Sequence, residues 1–162
     1  MRYSFCPKCG GRLIAEENEN KPHCKNCGFI FYQNPIVGVA AIVIYDRKIL
    51  LGKRNISYSN KWCIPCGYVE YDEEIRAAAR REFLEETGLH IKIKRIYDVH
   101  SNFHNPAQHT VGTWFLAEAI GGELSANDDL SAVDYFSFDR LPELAFETDQ
   151  LILDKLRKEN FL

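Results

Sequence analysis

No run of apolar residues in this 162-residue chain is long enough to span a bilayer. The N-terminus lacks the charged-then-apolar pattern of a secretory signal, so a cytoplasmic location is expected. Internal repeats and low-complexity tracts are absent. Basic charge is in short supply: 20 Lys and Arg against 23 Asp and Glu leave a formal charge of −3, which argues against a general nucleic-acid binder. What remains is globular composition, 46% hydrophobic and 27% charged, at a length that allows one ordinary domain plus a small appendage.

Six cysteines fall in three Cys-x-x-Cys pairs, which in a reducing compartment read as metal or redox chemistry before disulfides. Cys6-Pro-Lys-Cys9-Gly10 and Cys24-Lys-Asn-Cys27-Gly28 are separated by fourteen polar-rich residues. Two such turns can bring four thiolates to one tetrahedral Zn²⁺; redox thiols or a disulfide pair are the alternatives. A segment this short cannot build its own core, so a metal would supply its folding energy. His23 then stands beside a site already filled by four sulfurs. The charges here (Arg2, Lys8, Arg12, Lys21 and Lys25 among Glu16, Glu17 and Glu19) form no basic patch, so a structural or dimer-forming role is expected. Phe29 to Pro35 is the join, with aromatics expected to seal the ribbon against a second domain. The expected division is a zinc ribbon over 1–33 and a larger domain over 34–162. Tyr32 is a candidate for stacking on a substrate, with packing as the favoured reading.

Along the larger domain, Ile36 to Ile44 reads as a buried strand, Tyr45 to Lys48 as a turn and Ile49 to Lys53 as the return strand. Arg54 to Asn60 is a polar loop. Strands are also expected over His90–Val99, Thr110–Ile120 and Val133–Phe138, with Gly121-Gly122 as a turn. A closing helix from Asp149 to about Asn160, capped by Thr148, would face Leu151, Ile152 and Leu156 inward. His100, His104 and His109 lie around a loop without metal-ligand spacing. Phe103 and Trp114 could stack on a base, with core packing as the other reading of Trp114.

The stretch from Gly67 to Leu89 carries the chemistry. Asp72 is a suitable N-cap, Glu73 and Glu74 suit the positive end of the helix dipole, the Ala-rich middle favours helix, and Gly88 reads as the stop. At about 100° per residue, Glu82, Glu85 and Glu86 share the face that carries Ile75, Ala78 and Ala79 a turn or two earlier. Carboxylates continuing a buried face repel one another and lose solvation, and a hard divalent cation relieves both costs. The other reading is an ordinary solvated acidic helix end.

Gly67, five residues, Glu73, seven residues, then Arg81-Glu82-Phe83-Leu84-Glu85-Glu86-Thr87-Gly88-Leu89 resembles the Nudix box at every fixed position. The resemblance implies an α/β/α sandwich around a mixed sheet, preceded here by the small zinc ribbon. It also implies Mg²⁺- or Mn²⁺-dependent hydrolysis of a nucleoside diphosphate linked to another group. Glu82, Glu85 and Glu86, with the Gly67 carbonyl, would hold the metal, and Arg81, four residues before Glu85, would fork onto that carboxylate. Glu73 would brace the loop, and Glu70 would lie near the metals. Candidates for the general base are Glu85 first, then Glu118, Glu123, Asp128, Asp129 and Glu147. Two positions depart from the pattern: Cys66 stands where a small residue is usual, and Asp72 where many members have Gly. Cys63 and Cys66 are read as small, partly buried thiols, with a metal pair as the alternative.

The ribbon, the Tyr32-Gln-Asn-Pro35 join and the box together resemble two Nudix branches. The NADH pyrophosphatase branch carries Ser-Gln-Pro-Trp-Pro-Phe-Pro after the box, which Ser101 to Ala107 does not match. The branch acting on ADP-ribose or FAD has a tail like Leu141-Pro-Glu-Leu-Ala-Phe146. The expected substrate is therefore ADP-ribose, then FAD, then NADH, giving AMP and a phosphorylated partner. The alternative is a non-catalytic nucleotide-binding sensor, disfavoured by the intact box and the non-basic ribbon. A homodimer is expected from the resemblance; neither nucleic acid nor membrane is expected as a partner.

Overall fold

A computed structural model describes residues 3–15 and 21–162. Arg2, Glu16, Glu17 and Glu19 of the charge pattern above lie outside the described residues. The chain divides into two compact units, Met1–Pro35 and Ile36–Leu162, so the division falls just beyond the expected one after Gln33.

In the small unit, β1 (Leu13–Ile14) pairs antiparallel with β2 (His23–Cys24). Each Cys-x-x-Cys-Gly segment closes the same turn. The Gly10 N–H donates to the Cys6 carbonyl and the Gly28 N–H to the Cys24 carbonyl, both at 2.9 Å. Both glycines sit at positive φ, 72° and 69°, a conformation a side chain resists. Cys6, Leu13 and Cys24 form a minimal core on which Phe29 and Phe31 pack. The join's aromatics thus pack within this unit; Tyr32 is exposed and carries the Lys21 ammonium over its ring.

The larger unit runs β3 (Ile36–Tyr45), β4 (Lys48–Arg54), β5 (Trp62–Cys63), β6 (Cys66–Tyr68), α1 (Ile75–Thr87), β7 (Leu89–Asn102), β8 (Thr110–Gly122), β9 (Leu130–Phe136), a short 3-10 turn (Phe138–Arg140) and α2 (Glu147–Lys158). One seven-stranded sheet has the order β5-β4-β3-β8-β7, with β6 also paired to β3 and β9 to β4. The β3–β8 pair is parallel and the other ladders are antiparallel, so the sheet is mixed.

Burial on both faces explains the unbroken apolar run of β3, and the period of two sorts its side chains. Ala40 and Ile42 point to one side, with Ile49, Leu51 and Trp114, and meet Ile152, Leu153 and Leu156 of α2. Val39, Ala41 and Val43 point to the other, with Leu50, Phe115 and Ala117, and meet Ala78, Ala79 and Phe83 of α1. This is the expected helix–sheet–helix sandwich. The β3–β4 hairpin turns at Asp46-Arg47, both at positive φ (48° and 58°), as a tight hairpin requires.

Several boundaries differ from expectation. Glu74, not Asp72, caps α1, its carboxylate accepting from the N–H groups of Arg76 and Ala77 at 3.0 Å each; the loop runs two residues further before it turns helical. Gly121 and Gly122 pair with His90 and Leu89 at the end of β8 instead of forming a turn, because β7 begins immediately after Gly88. β9 starts at Leu130, and Phe138 belongs to the 3-10 turn. α2 starts at Glu147 with Phe146 as an N-cap that makes no side-chain bond, so Thr148 is not its cap. Leu151 faces outward while Leu153 is buried. Among the described residues, no helix is long and apolar enough to cross a membrane.

Phe83 is the large α1 side chain driven fully into the sheet. Phe83→Ala is expected to cost about 3–5 kcal/mol, read as a lowered urea midpoint with an unchanged slope.

Candidate active site

Helix α1 lies against β6 so closely that a Cβ on Gly67 would collide with the Glu82 carboxylate. The approach is held from the helix side by backbone donors on β6. The Cys66 N–H donates to Glu86 at 2.8 Å and the Tyr68 N–H to Glu82 at 3.2 Å. Arg81 ties the other end. Its Nε and Nη2 fork onto Glu73 at 2.8 and 2.7 Å, Nη1 reaches Glu82 at 2.8 Å and Glu85 at 3.1 Å, and Nη2 also reaches the Tyr68 carbonyl at 3.1 Å. The fork expected on Glu85 therefore goes to Glu73, because Glu73 presents both carboxylate oxygens to the planar guanidinium. The Arg81 guanidinium holds the Glu73 carboxyl below its usual range.

The glutamates do not share one environment. Glu86 is buried, Glu82 is largely covered, and the Glu85 side chain is 49% exposed. Burial, followed by the neighbouring Cys63, pushes the Glu86 carboxyl up to about 9, against the Cys66 N–H and the Arg54 charge. An ionised Glu86 at neutral pH therefore calls for a cation close by. Hard carboxylate oxygens beside a glycine backbone suit a divalent ion, so these residues fit one. Among the described residues, though, the only group of three or more ligand atoms already drawn within 4.8 Å of one another is that of Cys6, Cys9, Cys24 and Cys27. The Cys6–Cys27 and Cys9–Cys24 sulfurs are 3.8 and 3.5 Å apart, and all four cysteines are free of disulfides. Tetrahedral zinc with bonds of about 2.3 Å needs sulfurs roughly 3.8 Å apart, so the cluster fits zinc. The Cys27 N–H, and after it that of Asn26, draws the Cys24 thiol down to about 7.

Glu82, Glu86 and Gly67 line a cleft of about 490 Å³ in the larger unit, together with Glu70, Asp128 and Asp129. Glu85, Glu118, Glu123 and Glu147 are not in its wall, and Glu118 is paired with Lys94. Phe103 is exposed, its ring edge-on to His109, and is also outside the wall. Cys63 is buried and Cys66 half-buried in the cleft; burial and the Cys63 thiol raise the Cys66 thiol well above its ordinary range, the Cys63 hydrogen bond most of all.

Sequence matching of the NUDIX domain covers residues 35–156. The chain belongs to the Nudix family. It is 39% identical over 131 residues to an ADP-ribose pyrophosphatase of Methanocaldococcus jannaschii, covering 80% of this chain and 78% of that one. It is 29% identical over 143 residues to the NAD-capped RNA hydrolase NudC of Edwardsiella ictaluri, of which it spans 54%. A NUDIX hydrolase structure from Nitrosomonas europaea superposes with a TM-score of 0.84 at 31% identity, over 97% of this chain and 92% of that one. This Nudix protein is accordingly an enzyme that hydrolyses nucleotide-linked diphosphates, and its family generally works with divalent metal ions.

Two cleft residues escaped the sequence reading. Arg54 is a buried cation at the end of β4, where the strand reads as ending in a polar loop. Asp149 is a buried carboxylate that accepts from the Ile64 N–H at 3.0 Å and the Trp114 Nε1–H at 3.3 Å. Asp149 was legible: with Ile152, Leu153 and Leu156 it occupies i, i+3, i+4 and i+7 of one apolar stripe, the argument already applied to the glutamates. Burial pushes its carboxyl up to about 7, against the two N–H donors and Arg54. A folded-state pKa above the unfolded one means that the fold binds the extra proton. Stability from this group is full below about pH 4 and is lost as pH rises through about 7, an effect of a few kcal/mol. Asp149→Asn is expected to flatten that part of the stability–pH curve in urea titrations, at a lower plateau, because an amide accepts only one of the two bonds.

Proposed function

We propose that this Nudix enzyme hydrolyses the diphosphate bridge of ADP-ribose, with FAD second and NADH third, releasing AMP and a phosphorylated partner. One observation carries the reading: Phe146, the end of the Leu141–Phe146 tail, lines the same cleft as Glu82, Glu86 and Gly67. The named activity of the Methanocaldococcus jannaschii relative supports it. The absent Ser-Gln-Pro-Trp-Pro-Phe-Pro signature over Ser101 to Ala107 ranks NADH last, and the formal charge of −3 leaves nucleic acid outside the proposal.

Glu82, Glu85, Glu86 and the Gly67 carbonyl would hold Mg²⁺ or Mn²⁺. Such an ion supplies neutralisation of the bridging diphosphate and a more acidic water. Arg81 ties Glu82 and Glu85 to Glu73, which braces the loop. Water adds at one phosphorus as the bridging P–O bond breaks, so each half leaves as a phosphate monoester. Glu85, the exposed member of the three and outside the cleft wall, takes the water's proton; Asp128 and Asp129, which line the cleft, are the other candidates. The small unit binds one structural Zn²⁺ through Cys6, Cys9, Cys24 and Cys27, and the working form is a cytoplasmic homodimer.

A chromatographic assay for AMP with Mg²⁺ and Mn²⁺ across ADP-ribose, FAD, NADH, diadenosine polyphosphates and nucleoside triphosphates tests the substrate order. ADP-ribose should give the highest kcat/KM; cleavage of triphosphates alone would overturn the reading. Glu85→Gln should lower kcat by roughly 10²–10⁴-fold with nucleotide binding retained, whereas a comparable loss only in Asp128→Asn or Asp129→Asn would move the base to that loop. Elemental analysis should find about one zinc per chain. A thiol-reactive mercurial should release it and unfold the small unit, seen as loss of its amide signals by NMR.

A further inference from the structure

The box supplies Glu70, Glu82 and Glu86 to the cleft, but not an aromatic wall built from the cleft's loops. Three rings reach that wall from three separate loops: Tyr58 from between β4 and β5, His104 from between β7 and β8, and Phe146 from just before α2. Their centroids lie 5.5 Å (Tyr58–His104), 5.3 Å (Tyr58–Phe146) and 5.3 Å (His104–Phe146) apart. Tyr58 stands edge-on to both of the others. His104 is oriented by its Nδ1 contact with the Asn102 side chain.

The Tyr58 backbone is at φ 56°, left-handed and rare for a bulky side chain. Such conformations persist where the surroundings impose them, and they gather at ligand clamps. Arg54 braces the residue before Tyr58. Its Nε donates to the Ser57 carbonyl at 2.8 Å, its Nη2 reaches the Ser57 hydroxyl at 3.0 Å, and its guanidinium lies over the Phe146 ring at 5.4 Å. A buried cation thus binds the Tyr58 loop to the Phe146 loop, while Tyr58 itself stays 42% exposed.

We infer that Tyr58, His104 and Phe146 form the subsite that takes the planar base of the substrate, by stacking. The inference rests on the reading above, that the substrate is a nucleoside diphosphate derivative. Phosphates and sugars are held by hydrogen-bond donors and acceptors; a base offers the π-face that aromatic rings take. Stacking is tolerant, because every base has such a face, so the subsite distinguishes a base from no base far better than one base from another.

Calorimetric titration in Mg²⁺ with AMP and with ribose 5-phosphate, in which an anomeric hydroxyl replaces the base, tests this on wild type, Tyr58→Leu and Phe146→Leu. Wild type should bind AMP roughly 5- to 100-fold more tightly than ribose 5-phosphate, with GMP and UMP close to AMP. Each leucine variant should lose most of that gap while binding ribose 5-phosphate as wild type does, which also reports an intact cleft. Equal binding of the two ligands by wild type, or an undiminished gap in both variants, would overturn the subsite. Dinucleotide turnover measured alongside separates the two claims. Turnover with an undiminished gap sinks the subsite alone, and no turnover on any dinucleotide with the gap lost in the variants sinks the substrate reading and upholds the subsite.

Discussion

Everything at the cleft depends on how near helix α1 comes to β6. The helix can approach because Gly67 has no side chain where the Glu82 carboxylate sits. It stays there because the Cys66 and Tyr68 N–H groups and the Arg81 guanidinium satisfy carboxylates that would otherwise repel one another near a core. Arg81 is the economical part of this arrangement. One planar cation with fixed donor directions connects the loop through Glu73, the strand through the Tyr68 carbonyl and the helix through Glu82 and Glu85. A lysine could neutralise the same charge but could not hold those directions.

The sandwich supplies the counterforce. Apolar side chains on both faces of β3, β4 and β8 lock α1 to one side and α2 to the other, so the helix bearing the glutamates has little freedom to retreat. The same packing carries Asp149 of α2 under the Cys63–Cys66 segment, where it accepts the Ile64 N–H. Two buried carboxylates, Glu86 and Asp149, thereby brace the two ends of one short connection from opposite faces of the sheet. Arg54, buried nearby, is the cation that makes their joint burial tolerable and also straps the Tyr58 loop.

The small unit obeys a different economy. Among the described residues, its apolar core is three side chains with two phenylalanines laid on them, far less than an independent fold needs. Four sulfurs already gathered within 4.8 Å of one another are the feature that can make up the difference.

The sequence alone determined the periodic and the local. Two-sided apolar runs, the cysteine turns, the box spacing and the positive-φ stop at Gly88 follow from residue types a few positions apart, and so does the family. Helix ends were less secure, because Glu74 and Asp72 are both competent caps and only the path of the loop chooses between them. Tertiary structure decided which glutamate is buried, where the Arg81 fork goes and which loops share the cleft. Phe103 reads in the sequence as a stacking candidate and Phe146 does not, yet Phe146 lines the wall and Phe103 lies outside it. Such choices depend on contacts between segments tens of residues apart, such as Cys66 with Glu86 or Arg54 with Phe146, and no local pattern encodes which distant partner satisfies a buried charge.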